Sequence, residues 1–257
     1  MDDWNPDLYL QYSNQRNQPV KDLLSRIALP EVKSVLDYGC GPGNSTHLVS
    51  QKWENARIVG IDSSGAMIDK ARATYPDIEW KMQDIMTWNT GDKFDVVFSN
   101  AVIQWILNQE KLMEKLAGMV TESGVIAFQM PEYGDMPVAK IIDEEYHKLR
   151  RTDTFSLADV FEFHRPDWYY NTLCRYSTCI TMWQTDYIHE MKSAEDIVTM
   201  IESTGLRPYL ARLESNEQKK LLIDSITESL KTEYRECSNG KVLFPFKRLF
   251  VVAYKGI

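Results

Sequence analysis

The run Asp37-Tyr38-Gly39-Cys40-Gly41-Pro42-Gly43 constrains this chain more than any other segment. It ends the apolar stretch Lys33–Tyr38 (KSVLDY) and precedes Asn44–Lys52, which opens with the capping types Asn, Ser and Thr. A buried parallel strand, a glycine turn and a helix start make the first half of a βαβ unit. Glycine at such a turn lets the backbone bend sharply and approach a ligand closely. The dinucleotide pattern GxGxxG fails for want of its third glycine, and no GxxxxGK[ST] sequence occurs. Asp37, directly ahead of the glycines, would repel a pyrophosphate. It suits a ligand with an ammonium group, such as the methionine end of S-adenosylmethionine.

The alternation continues. Ala56–Ile61, Ile78–Met82, Phe94–Ser99 and Val125–Gln129 read as further strands, with helices over Ser64–Tyr75 and Glu110–Met119. This order implies a parallel sheet with right-handed crossovers, whose ligands sit beyond the carboxyl ends of the strands. Acids recur at those ends. Asp62 closes the second strand, where a carboxylate accepts both ribose hydroxyls or caps the next helix. Asp84 follows the third, placed to accept an adenine amino group while Ile85 packs on the ring; alone, it reads as a solvated turn residue. Asn100-Ala101, with Gln104 and Trp105, follows the fourth and is expected to line the cleft floor, although Trp105 suits a core equally well.

The second half changes character. Val138–Arg151 and Gln218–Tyr234 read as helices, whereas Tyr176–Tyr187 and Phe246–Tyr254 are rich in β-formers. These two strands are expected to complete the sheet edge, and helical stretches at about 134–165 and 191–240 to form an inserted cap.

Composition narrows the partners. With 44% hydrophobic residues among 257, global disorder is excluded. The net charge is −8 and no run of Lys or Arg stands out, which disfavours nucleic acid and anionic membranes. An anionic small substrate stays open, because a pocket's local charge can oppose the global one. Cys40, Cys174, Cys179 and Cys237 form no CxxC pair and no His/Cys cluster, so neither a metal site nor a disulfide framework is expected. The N-terminal MDDWNPDLYL lacks a basic start and an apolar core, and no stretch nears the roughly 18–20 apolar residues of a membrane span. The expectation is a cytoplasmic protein.

Together, VLDYGCGPGNST, VGIDSSGAMIDKAR, DIMTW and FSNAVIQWI resemble the class I methyltransferases. WNPDLYLQY, the stretch from Arg16 to Pro19, AFQMPE, TGLRPYL and FPFKRLFVVA narrow the resemblance to the trans-aconitate methyltransferases, over almost the whole chain. That resemblance implies an α/β fold: a doubly wound, Rossmann-like, seven-stranded, mostly parallel sheet with a helical cap. It divides the chain into an N-terminal helical lid over 1–30, a cofactor-binding core over 31–132, and cap insertions plus the last strands over 133–257. It implies S-adenosylmethionine as methyl donor and a small polycarboxylic acid as acceptor, with no nucleic acid, membrane or metal, in a monomer or weak homodimer. It assigns Asp37, Gly39 and Gly41 to the methionine end, Asp62 with Ser63 and Met67 to ribose, Asp84 and Ile85 to adenine, and Asn100 to the cleft, under a lid running from Trp4 to Arg16. Two departures stand out. Tyr38 replaces a smaller aliphatic residue, which is expected to matter little, and Glu132-Tyr133 replaces a shorter polar pair on the substrate side.

A carboxylic acid with a pKa of about 4 is already ionised at pH 7, so ester formation needs no general base. The catalytic task is positioning and water exclusion. Extra carboxylates on the substrate call for cations: Arg16, Arg207 and Arg248, with His189 and Lys247 behind them. Tyr12, Trp105, Tyr170, Trp183 and Tyr187 are candidate pocket walls, although aromatics at such spacing also serve as core. Rival readings are a malonyl-carrier-protein methyltransferase, another small-molecule O- or N-methyltransferase with His189 or His164 as base, an NAD-dependent dehydrogenase, and a non-catalytic binder.

Overall fold

The structure is a computed structural model that describes residue 7 and residues 10–256. Seven strands form one sheet: β1 (Ser34–Tyr38), β2 (Arg57–Asp62), β3 (Glu79–Met82), β4 (Phe94–Asn100), β5 (Val120–Pro131), β6 (Cys179–Met191) and β7 (Val242–Tyr254). Their order is β3-β2-β1-β4-β5-β7-β6. The pairs β3/β2, β2/β1, β1/β4 and β4/β5 are parallel. β7 runs back against β5: the Glu132 N–H donates to the Lys247 carbonyl near one end, and the Lys255 N–H to the Gly124 carbonyl near the other. The strand order reverses between β1 and β4, so the crevice that an open α/β sheet offers to ligands lies at the carboxyl ends of these two strands.

The helices are α1 (Ser13–Ser25), α2 (Asn44–Lys52), α3 (Gly65–Thr74), α4 (Gln109–Met119), α5 (Pro137–Leu149), α6 (Pro166–Leu173), α7 (Ala194–Glu202), α8 (Arg207–Leu210) and α9 (Asn216–Glu233). Among the described residues, none is long and apolar enough to cross a membrane.

The chain divides into two compact units. The larger runs up to Met130 and adds Glu162–Gln184 and the stretch from Leu249. Its core is built from strand residues with no exposed surface, among them Leu36, Val59 and Phe128, together with Leu112, Met113 and Leu116 of α4 and Tyr169 and Leu173 of α6. Both faces of β1, β2 and β4 are covered, which is why these strands read as unbroken apolar runs rather than as alternating ones. Within this unit α1 is docked on α2. Lys52 caps the carboxyl end of α1 by donating to the Leu24 and Ile27 carbonyls, and the Asn44 amide donates to Asn17 at 2.6 Å.

The smaller unit comprises Pro131–Phe161 and Thr185–Arg248. The rings of Tyr146, Phe155 and Tyr209 meet edge-on within it, and the Tyr209 hydroxyl donates to Asp143. The buried Glu145 of α5 accepts from Ser225 and Ser229 of α9, which joins the two helices, and from Lys148 of its own helix. β6 and β7 are each continuous through both units.

Candidate active site

Asp37 lies one residue before the end of β1, with no exposed surface. Its Oδ2 accepts from the Ser45 hydroxyl at 3.0 Å and the Thr46 hydroxyl at 2.7 Å. The sequence places these side chains as helix caps, but the N-cap of α2 is Gly43 and has no side-chain cap bond. Ser45 and Thr46 hold a buried carboxylate instead. Asp37 Oδ1 is buried and has no hydrogen-bond partner. Burial raises the carboxyl to about 6; the two hydroxyls oppose that rise, and the charge on Asp62 adds to it.

The turn after Asp37 is wedged between two neighbouring strand tips. The Gly39 and Cys40 N–H groups both donate to the Ile61 carbonyl at 2.9 Å. Gly39 has φ +83°, and a Cβ there would lie 2.4 Å from the Val102 side chain, so both conformation and space require glycine. Gly41 has φ +54°, but a Cβ there would meet nothing within 4 Å. Its backbone borders open space, as a ligand cradle requires.

Asp62 ends β2 and accepts from the Gly41 N–H and the Ser64 N–H, both at 2.9 Å. It is not the cap of α3. That role belongs to Ser64, whose hydroxyl accepts from the Met67 N–H. These two bonds orient the Asp62 carboxylate at the edge of the glycine turn. Ser63 is exposed and Met67 is buried.

Asp84 is exposed, and its Oδ1 closes a turn by accepting from the Met86 and Thr87 N–H groups. Ile85 beside it is buried, and its carbonyl accepts from the Tyr38 hydroxyl. Tyr38 therefore matters more than the sequence suggests: its fully buried ring ties β1 to the loop after β3. Burial and the nearby Asp84 charge hold its hydroxyl protonated far above the usual tyrosine range.

At the tip of β4, Asn100 is buried and accepts from the Gln129 amide. Ala101 follows with φ +59°, uncommon for a residue with a Cβ, and is held there by the bond from its N–H to the Gln129 carbonyl at 2.9 Å. Gln104, in the short 3-10 turn Ile103–Trp105, donates its amide to the Ala101 carbonyl at 2.9 Å. Trp105 is half-buried.

The substrate candidates divide between the units. In the larger unit, Tyr12 precedes α1 as its N-cap, and Arg16 lies on the first turns of that helix; both are buried. Of the expected lid, Trp4 lies outside the described residues. Trp183 is taken up by packing: its ring lies between Phe250, stacked at 4.7 Å, and the Arg26 guanidinium, 4.1 Å from its centroid. Tyr170 is about half exposed, at 49%. His164 stacks on Trp168 at 3.7 Å and bonds to Glu162 at 2.6 Å.

In the smaller unit, Arg248 is buried, with its guanidinium 4.7 Å from the centroid of the Phe246 ring. His189 is buried beside the same ring and stacks on Tyr187, and its Nε2 has no hydrogen-bond partner. Burial and the Arg248 charge lower its imidazole to about 4. His189 is thus neutral at pH 7 and would meet a carboxylate through a ring N–H rather than as a cation. Lys247 pairs with Glu132 at 3.7 Å, and Arg207 opens α8, half-buried.

Sequence reasoning misses Ser45, Thr46, Tyr38 and Gln129 as parts of the site. None of them carried a signal: even Ser45 and Thr46 stand eight and nine residues past Asp37, across the glycine turn.

A seven-stranded doubly wound sheet with β7 turned back between β5 and β6, and acids at the tips of β1 and β2 around a glycine turn, defines a class I methyltransferase. A family model described as a methyltransferase domain matches residues 12–206. The trans-aconitate 2-methyltransferase of Escherichia coli O157:H7 (strain EC4115 / EHEC) is 39% identical over 255 residues, covering 98% of each chain, and that of Escherichia coli strain 55989 is 38% identical with the same coverage. Among solved structures, a Haemonchus contortus phosphoethanolamine N-methyltransferase 2 in complex with S-adenosyl-L-methionine superposes with a TM-score of 0.62 at 16% identity, covering 98% of this chain and 57% of that one. The YcgJ protein from Bacillus subtilis superposes at 0.60 and 12% identity, covering 96% and 100%. The chain belongs to the trans-aconitate 2-methyltransferase family.

Proposed function

We propose that this chain is an S-adenosylmethionine-dependent carboxyl O-methyltransferase that esterifies one carboxylate of a small polycarboxylic acid, trans-aconitate. The observation that carries the reading is the buried Asp37 carboxylate, whose Oδ1 has no donor beside a glycine turn that borders open space. A buried, unpartnered acceptor of this kind fits an ammonium group. Bound there, S-adenosylmethionine supplies an electrophilic methyl carbon carried on a sulfonium.

Asp37, Gly39 and Gly41 hold the amino-acid end, and Asp62, with Ser63 and Met67 beside it, holds the ribose. Asp84 and Ile85 border the adenine, and Asn100 closes the cleft. Asp84 uses only Oδ1 on its own turn, which leaves Oδ2 to accept from the adenine amino group while Ile85 packs on the ring. The acceptor carboxylate arrives ionised and is itself the nucleophile. No base is needed for this step, because the attacking oxygen carries no proton. What the chain supplies is orientation, about 7–11 kcal/mol where positioning is good, and a site poor in water.

Substrate carboxylates are met by arginine. Arg16 is the candidate in the larger unit and Arg248 in the smaller. Tyr12, Trp105, Trp183 and His189 are the remaining candidate contacts. Cytoplasm is the proposed compartment, supported by cysteines that are all unpaired, three of them exposed. The proposed assembly is a monomer or weak homodimer.

The test is a panel of small polycarboxylates incubated with methyl-labelled S-adenosylmethionine. Label that alkali releases as methanol from trans-aconitate alone, or best from it, supports the proposal. Alkali-stable label, or no transfer to any acid, overturns it.

A further inference from the structure

We propose that the side-chain carbonyl of Gln104 is a second acceptor for the ammonium end of the methyl donor, acting beside Asp37. The proposal rests on the reading of the cleft given above.

Gln104 is 3% exposed. Its amide is fixed in one orientation, because Nε2 donates to the Ala101 carbonyl at 2.9 Å. The flipped amide would set two carbonyl oxygens against each other. Oε1 is therefore the opposite end of the group, and it is buried with no hydrogen-bond partner. The main chain at this point is already secured: the Gln104 carbonyl accepts from the Glu162 N–H at 3.0 Å, and Ala101 is held by Gln129. An unsatisfied buried amide carbonyl is costly, and a native chain keeps one where a ligand completes it.

Two such orphans sit in neighbouring strand-and-turn segments, Asp37 near the end of β1 and Gln104 in the 3-10 turn beyond β4. Asp37 belongs to β1, and Val102, two residues before Gln104, lies against Gly39 at the end of that strand. Both unpaired atoms, Asp37 Oδ1 and Gln104 Oε1, are acceptors. Their complement is a group that only donates. An ionised substrate carboxylate only accepts and satisfies neither, whereas an ammonium carries three N–H donors and satisfies both. A neutral amide also completes the site without adding a second negative charge next to Asp37.

The test is calorimetric and needs no turnover. S-Adenosylhomocysteine, which has the amino-acid end, and 5′-methylthioadenosine, which lacks it, are titrated into the full chain as wild type, Gln104→Leu and Gln104→Glu. The expected result is a loss of about tenfold or more in S-adenosylhomocysteine affinity for Gln104→Leu, the range for a hydrogen bond to a charged group. Methylthioadenosine affinity should stay within about twofold, which also reports that the variant is folded. Gln104→Glu keeps an acceptor and loses the donor to Ala101, so it should retain S-adenosylhomocysteine binding. Equal losses for both nucleosides in Gln104→Leu, or loss in both variants alike, assign Gln104 to holding the Ala101 turn and overturn the proposal. So does unchanged S-adenosylhomocysteine binding by Gln104→Leu. A wild-type chain that binds neither nucleoside instead sinks the reading of the cleft itself.

Discussion

The Tyr38 hydroxyl donates to the main-chain carbonyl of Ile85, 47 residues further along the chain. The bond couples the strand that carries Asp37 to the loop proposed to border adenine. Tyr38→Phe keeps the ring and leaves that carbonyl without its donor, which should destabilise the fold by about 1–3 kcal/mol. Urea unfolding should show a lower midpoint with an unchanged slope. An unmoved midpoint would mean that the bond contributes nothing.

Asp37 ties stability to pH in a direction opposite to that of most carboxylates. Its folded pKa of about 6 lies above the unfolded value of about 3.9, so the folded chain binds the extra proton. Folding is therefore weakened as pH rises through that window and stays weakened above it. Asp37→Asn should unfold later than wild type at pH 7.5, by on the order of 2 kcal/mol, and show no gain below pH 4. The same variant should lose S-adenosylhomocysteine affinity. Binding to wild type should release protons near pH 5.5, because an ammonium favours the ionised carboxylate. Calorimetry in buffers of different ionisation enthalpy measures that release, and heats that do not vary with the buffer would detach Asp37 from the ammonium.

The turn glycines should respond differently to the same added methyl group. Gly39→Ala meets Val102 as well as a left-handed backbone, so the variant should lose several kcal/mol in total, combining about 1–3 for overpacking with about 1–2 for conformation. Gly41→Ala meets no protein atom and should lose only the conformational part, about 1–2 kcal/mol, while nucleoside binding weakens because the methyl fills the cradle. Parallel melts and titrations of the two variants distinguish these outcomes. A Gly41→Ala chain with wild-type affinity would take the ligand off this turn.

In the smaller unit, Arg248→Ala should raise the KM for trans-aconitate at least about tenfold, as expected for loss of a charge-assisted contact, with S-adenosylhomocysteine affinity within twofold of wild type. An unchanged KM would remove Arg248 from the acceptor site.

His189 has a folded pKa of about 4, below the unfolded value of about 6.5. The stability it contributes is present above pH 6.5 and is lost as pH falls toward 4. His189→Phe should flatten that acid limb, read as unfolding midpoints at pH 4.5 and 7. A limb as steep as in wild type would place the titration elsewhere.

Local pattern reveals the elements better than it reveals their partners. The helix Asn44–Lys52 is legible residue for residue, because a glycine turn ends where it begins. β5 is read as Val125–Gln129 but starts at Val120. Phe94 pairs with Val120 and Val96 with Val125, so extra β5 residues bulge from the ladder, and the intervening Thr121-Glu122-Ser123-Gly124 has the composition of a turn. Asp37 and Asp62 are legible as candidate site residues because they lie at the carboxyl ends of strands. That Ser45 and Thr46 face the first, and that the Gly41 N–H folds back on the second, depends on how the turn closes in three dimensions. Trp183 shows the same limit. Its strand can be read from β propensity, but the Arg26 and Phe250 that enclose its ring lie far off in sequence.

The place of β7 has a consequence for biosynthesis. β6 stands at the end of the strand order, and its sheet neighbour, β7, begins only at Val242. A ribosome adding residues one after another therefore exposes β6 as an unpaired edge until α7, α8 and α9 have been made. Closure of the sheet is a late event in synthesis, and nascent chains stalled before Val242 should be the ones that chaperones retain.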